Sequence, residues 1–178
     1  LSKNNNNYKR IHLINSVFPY SIILIPYRDP LQQAYSLLNQ HKHFCDLQKK
    51  EKFILDYMNY LGHREFGLNY QSWNLPLDYS DAFAINYWLE QWYLFYNNII
   101  EYSEKNKNVV LVSYDEICKN QELVQKLISK INLSQTDYSN FFKLSLKDIT
   151  DNYDKKILSK CLEIQGRMKS LNNNLSYF

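Results

Sequence analysis

The chain alternates between short, unbroken apolar runs and longer stretches in which apolar residues recur every three or four positions. Ile22-Ile23-Leu24-Ile25 is a run of strand length with no polar break, the pattern of a strand buried on both faces of a parallel sheet. Pro26 has no backbone donor and counts against a long central strand, so the strand is expected to stop about there. Asp29-Pro30-Leu31-Gln32 then reads as a helix start, with Asp as N-cap, Pro at the first helical position and Gln at N3 closing a capping box. Leu31, Ala34, Tyr35 and Leu38 carry on at helical spacing. Val109-Val110-Leu111-Val112, β-branched and apolar, is a second buried strand.

The remaining segments fit around this strand, turn and helix. Residues 1–10 are polar and Asn-rich, and 11–18 suit a short helix ending at Pro19. Phe53 to Leu61 has helical periodicity, Gly62 to Gly67 breaks it, and Pro76 sits in a loop. Ser80 or Asp81 is expected to cap a long helix reaching about Glu104, with Phe83, Tyr87, Trp88, Gln91, Trp92, Phe95 and Ile99 on overlapping faces. Further helices are expected at 121–131 and 155–170. Strands alternating with helices imply an α/β fold, a three-layer parallel sheet flanked by helices. With no internal repeat and no linker, residues 1–178 read as a single domain.

Composition narrows the chemistry more than the fold. A length of 178 residues, 45% hydrophobic and 22% charged, is that of an ordinary globular domain able to bury a core. A net charge of +3 is too small and too evenly spread to argue for nucleic acid. The three glycines, Gly62, Gly67 and Gly166, cannot build a glycine-rich phosphate loop. Cys45, Cys118 and Cys161 are odd in number and far apart, which points to free thiols in a reducing, cytoplasmic setting rather than to disulfides or a metal site. No apolar run reaches membrane-spanning length and no signal peptide opens the chain.

Candidate chemistry gathers at the end of the first strand. Arg28 stands at its carboxyl edge, where ligands bind in open α/β sheets. The helix that follows begins beside it, and a helix N-terminus together with a guanidinium fork favours an anion. Ser36 lies about two turns into that helix, so a long Arg and a short Ser would converge on one phosphate.

Tyr27-Arg28-Asp29-Pro30-(x)5-Ser36 resembles the 3′-phosphate-binding segment of sulfotransferases that use 3′-phosphoadenosine 5′-phosphosulfate (PAPS), in which an Arg closes a strand and a Ser eight residues later binds the same phosphate. Phe18-Pro19 before the strand, and Val109 to Ile117 (V-V-L-V-S-Y-D-E-I), are similar to flanking segments of that family, so the likeness covers about residues 1–135. It implies sulfuryl transfer from PAPS, as co-substrate and without a metal, to a hydroxyl or amine of an unidentified acceptor. Arg28 and Ser36 would bind the donor, and Lys3 would stand where many members place a Lys that meets the transferring group. Asn7 occupies the place expected for a catalytic His, and His12 is the nearest substitute. The family's P-[KR]-[ST]-G-[ST]-[ST] loop has no counterpart, so the chain reads as an amino-terminally incomplete member. Gly166-Arg167-Met168-Lys169 is a poor substitute for its C-terminal R-K-G-type segment.

Two other classes fit the same residues: a non-catalytic, degenerate binding module, and a fragment of a P-loop kinase or NTPase with Asp115 as its Mg²⁺ carboxylate. Simpler roles are expected elsewhere. His41, Lys42 and His43 would complement a helix C-terminus, His63-Arg64-Glu65 a turn with a local ion pair, and Asp115 and Glu116 a cap or a pairing partner. The aromatic stripe of 83–102 would be core.

Overall fold

The computed structural model describes residues 5–72, 77–132 and 141–173, and Lys3 lies outside the described residues. The chain is mixed α/β and mostly helical. A 3₁₀ turn (Asn5–Arg10) leads into α1 (Ile11–Val17), β1 (Ile23–Tyr27), α2 (Pro30–Lys50), α3 (Lys52–Tyr60) and α4 (Ile85–Lys105). After these come β2 (Val109–Ser113), α5 (Tyr114–Ile117), α6 (Gln121–Lys130) and α7 (Lys155–Asn173).

β1 and β2 pair in parallel, with Ile23 opposite Val109 and Tyr27 opposite Ser113. The wider sheet of the three-layer reading is not among the described residues, whose sheet is this two-stranded ribbon. Both faces of the ribbon nevertheless meet helices. Ile25, Tyr27, Val109 and Leu111 join a core built with α2, α4 and α7, while Val112 packs on Ile117, Val124 and Ile128 of α5 and α6.

β1 stops at Tyr27, one residue past Pro26, as expected. Ile23 N donates to Asn108 O (2.9 Å), so positions 23, 25 and 27 turn their backbone groups toward β2, and Leu24 and Pro26 turn theirs away. The donor that Pro26 lacks is therefore not needed, and its carbonyl accepts from the Tyr96 hydroxyl (2.8 Å).

α4 is the central helix, packed against both α2 and α7. Its Tyr87, Trp88, Trp92 and Tyr96 are buried, as the aromatic spacing predicts. The helix starts at Ile85 rather than at Ser80 or Asp81. Asp81 makes a turn ahead of it, accepting from Phe83 N (2.8 Å) through its side chain and from Ala84 N (3.0 Å) through its carbonyl.

α2 begins as expected, with Asp29 accepting from Gln32 N (2.9 Å). The capping box is only half formed, because Asp29 N donates to Asp115 Oδ2 (2.8 Å) instead of to Gln32. The helix also runs on to Lys50, so His41, Lys42 and His43 lie in its middle and not at its carboxyl end. His41 is buried against Tyr70, Phe83 and Trp88, and its Nδ1 accepts from Gly67 N (3.4 Å).

Burial holds the His41 imidazole below its ordinary value of 6.5, with the Asp81 carboxylate pulling weakly the other way. The unfolded chain therefore takes up this proton first as pH falls, so the stability His41 contributes is complete above about pH 6.5 and is lost below it. Urea unfolding should show stability declining from pH 7 to pH 5.5, by up to about 1.4 kcal/mol per pH unit from this one group. His41→Leu should flatten that limb, and an unchanged slope would assign it to other groups.

Candidate functional site

The carboxyl ends of β1 and β2 and the first two turns of α2 enclose a cleft of about 230 Å³, lined by Tyr27, Arg28, Gln33, Ser36 and Tyr114 among others. Arg28 and Ser36, eight positions apart in sequence, thus face one cavity from a strand end and from the next helix. The volume is below the roughly 300–1,000 Å³ of pockets for drug-sized ligands.

The guanidinium of Arg28 has three neighbours. Its Nε lies 3.6 Å from Asp115 Oδ1, with the two side chains 16% and 17% exposed. Its plane approaches the Tyr114 ring at 5.3 Å, and its Nη2 donates to the backbone carbonyl of Ser145. At 3.6 Å the carboxylate pairs with the charge but makes no hydrogen bond, so Arg28 Nε and Asp115 Oδ1 are both buried polar atoms lacking one. A buried N–H donor without an acceptor is costly, and an oxygen placed there would satisfy it.

Ser36 is half-buried, and its hydroxyl donates to the Gln32 carbonyl (2.9 Å), the usual back-bond of a helical serine. The amides at the start of α2 are largely engaged within the helix end itself, since Gln32 N is taken by the Asp29 carboxylate and Gln33 N by the Asp29 carbonyl (2.9 Å). The start of α2 therefore offers the cleft few free amides, and the cationic residue among its lining is Arg28.

Sequence reasoning missed two lining residues. Gln33 Oε1 accepts from Arg28 N (3.3 Å) and from Trp92 Nε1 (3.1 Å), fixing the end of β1 to α4. Its position three residues before Ser36, on the same helix face, was the available signal. Tyr114 follows the Tyr27–Ser113 pair by one residue, and only the strand register brings it beside Arg28.

Other predicted residues fall elsewhere. Asn7 lies in the 3₁₀ turn and His12 is exposed on α1, and neither lines the cleft. Asp115 accepts from Asp29 N and faces Arg28, which is the pairing role expected for a strand-end carboxylate. His63 meets Glu65 at 3.3 Å in the Gly-flanked turn. Arg167 pairs with Glu104 of α4 (3.2 Å), and Met168 is fully buried in the core. The three cysteines are free, with Cys45 and Cys161 buried. Burial pushes the Cys161 thiol up to about 12. Among the described residues no cluster of His, Cys, Asp or Glu could hold a metal ion, and no helix is long and apolar enough to cross a membrane.

Compared with known protein families, with curated proteins and with solved structures, the chain matches none of them.

Proposed function

We propose that the cleft binds the 3′-phosphate of PAPS, and that the chain is the phosphate-gripping part of a sulfotransferase-like α/β domain with a three-layer parallel sheet. The observation that carries this reading is the shared cavity of Arg28 and Ser36. Arg28 Nη2 would exchange the Ser145 carbonyl for a phosphate oxygen, and the Ser36 hydroxyl would swing from the Gln32 carbonyl to a second oxygen. In the transfer itself an acceptor hydroxyl or amine bonds through oxygen or nitrogen to sulfur as the bridging S–O bond breaks, adenosine 3′,5′-bisphosphate leaves with that bond's electron pair, and the acceptor's proton is released to solvent. Holding the donor fixed by its distant phosphate aligns the sulfur for that displacement, so binding energy away from the reacting atoms lowers the barrier. Lys3 would offset charge on the leaving oxygen.

The test is titration calorimetry with adenosine 3′,5′-bisphosphate. Arg28→Ala should weaken binding by about 1.5–3 kcal/mol, roughly one to two decades in affinity. Ser36→Ala should weaken it by about fivefold, the scale of one ordinary hydrogen bond. Affinity unchanged by Arg28→Ala would remove the assignment.

A second reading is favoured by the Arg28–Asp115 pair, which ties the end of β1 to the end of β2. In that case Arg28 is a strut within a non-catalytic binding module. Arg28→Ala would then lower the melting temperature, and neither variant nor parent would bind the bisphosphate.

A further inference from the structure

Residues 141–149 have no regular secondary structure, yet they are fixed against the cleft by contacts that repeat at every second residue. The Tyr114 hydroxyl donates to Lys143 O (2.6 Å), and Arg28 Nη2 donates to Ser145 O. The Gln32 side chain holds Lys147 from both sides, Nε2 donating to Lys147 O (2.9 Å) and Oε1 accepting from Lys147 N (2.8 Å). A spacing of two is that of an extended chain presenting one edge. Three side chains, from β1's end, the first turn of α2 and α5, read that edge as a neighbouring strand would.

Two features set this strap apart from an ordinary loop. Every one of these contacts goes to its main chain, while the side chains of Lys143, Ser145, Leu146 and Lys147 are exposed. One apolar anchor is Phe142, packed on the small cluster of Ile117, Val124 and Ile128. The segment is thus pinned by packing at both ends, Ile149 lying against the main core, while 143–147 between them are held by hydrogen bonds, which can be exchanged for others at small net cost. Among these, the bond to Arg28 is replaceable in a particular way. A guanidinium bound to a neutral carbonyl forms a weaker contact than one bound to a phosphate oxygen, where both partners are charged.

We propose that residues 141–149 form an autoinhibitory strap, whose Ser145 carbonyl occupies the Arg28 donor that an incoming phosphate would use, so that anion binding and strap docking exclude one another. This rests on the anion-binding reading of the cleft. Gln32 holds the strap but does not line the cleft, so loosening it should raise affinity where loss of Arg28 lowers it. A binding equilibrium that must first release a docked segment is weakened by the population of the docked state.

The deciding measurement is hydrogen–deuterium exchange at the Lys147 amide in the whole chain. It is made with inorganic phosphate, with adenosine 3′,5′-bisphosphate, and with chloride at matched ionic strength. Both anions should accelerate exchange at 143–147 in the parent and leave it unchanged in Arg28→Ala, and chloride should have no effect. In parallel, Gln32→Ala should bind the bisphosphate up to about thirtyfold more tightly than the parent, the scale of the two ordinary hydrogen bonds removed from the competing state. Gln32 N keeps its Asp29 cap whatever the side chain, so this variant retains the helix start. If the bisphosphate binds while Lys147 exchange stays constant, the strap is refuted and the nucleotide site survives. If inorganic phosphate releases the strap but the bisphosphate binds no better, the strap stands and the nucleotide reading falls. If neither anion binds or alters exchange, both are wrong.

Discussion

Replacing Leu89 by alanine should cost the fold about 3–5 kcal/mol, the upper part of the range for deleting a fully buried leucine side chain. Leu89 has no exposed surface and lies in the first half of α4, the helix that packs on both α2 and α7. Its backbone carbonyl accepts from the Cys161 thiol of α7 (3.4 Å), so the two helices touch directly at this point. Removing a fully buried side chain from a close-packed core leaves a cavity that its neighbours fill only in part. Urea denaturation should show the midpoint falling with the slope unchanged, and the melting temperature should drop by roughly 10 °C. Leu13→Ala, at a position 55% exposed on α1, serves as the comparison and should stay within about 0.5 kcal/mol. If the Leu89 variant behaved like the Leu13 variant, α4 would not be the centre of the core.

The consequence for the cleft is indirect. Gln33 joins Arg28 N to Trp92 and also contacts the Tyr96 hydroxyl, which itself donates to Pro26 O. The lower half of the cleft is thus set by α4, and damage to α4 should loosen Arg28 even though no mutated atom lies near it.

Local chemistry made the first turn of α2 legible. Asp29, Pro30 and the offset of Ser36 are short-range signals, and a helix start depends on a few neighbouring residues. Helix identity at α3, α4, α6 and α7 followed from periodicity for the same reason. The end of β1 near Pro26 is legible in the same way, but which side of β1 faces a partner is fixed by pairing with a strand more than eighty residues away. His41 was placed at a helix end because nothing local marks where α2 stops. Glu51 ends it in an extended conformation without glycine or proline. The return half of the capping box failed since Asp115, again distant in sequence, took the Asp29 amide first.

The site divides along the same line. Arg28 and Ser36 were readable as a pair because strand, turn and helix fix their offset. Asp115 beside Arg28, Tyr114 over it and the strap across it follow from register and tertiary docking, which single-residue patterns do not carry. The strap was the least legible part, as its contacts are to main chain and leave no trace in its own residue types.

A second large effect is expected at Gly67. Its φ of +94° lies in the region that side chains rarely adopt, and an added Cβ would overlap the Gln48 amide, lying 2.6 Å from its Cδ. Gln48 cannot easily retreat. It is buried near the end of α2, its Oε1 accepts from Leu68 N (2.6 Å), and its Nε2 meets Met58 Sδ (3.1 Å). Gly67→Ala must therefore either strain the backbone and crowd Gln48, or break the Leu68 bond and leave a buried amide unsatisfied. Together these should cost about 2–4 kcal/mol. Gly62 provides the control, since its φ of +70° carries the same conformational preference but nothing lies within 4 Å of an added Cβ. Gly62→Ala should cost only about 1 kcal/mol. Denaturation of the two variants side by side measures the steric part as their difference, and equal costs would show that backbone strain alone decides both. Gly67 meets α2 at His41 and Gln48, roughly one and a half to three turns beyond Ser36 at about 3.6 residues per turn. The Gly67 variant should accordingly lose stability while its folded fraction keeps the parent's affinity for adenosine 3′,5′-bisphosphate, the opposite of what is expected for Arg28→Ala.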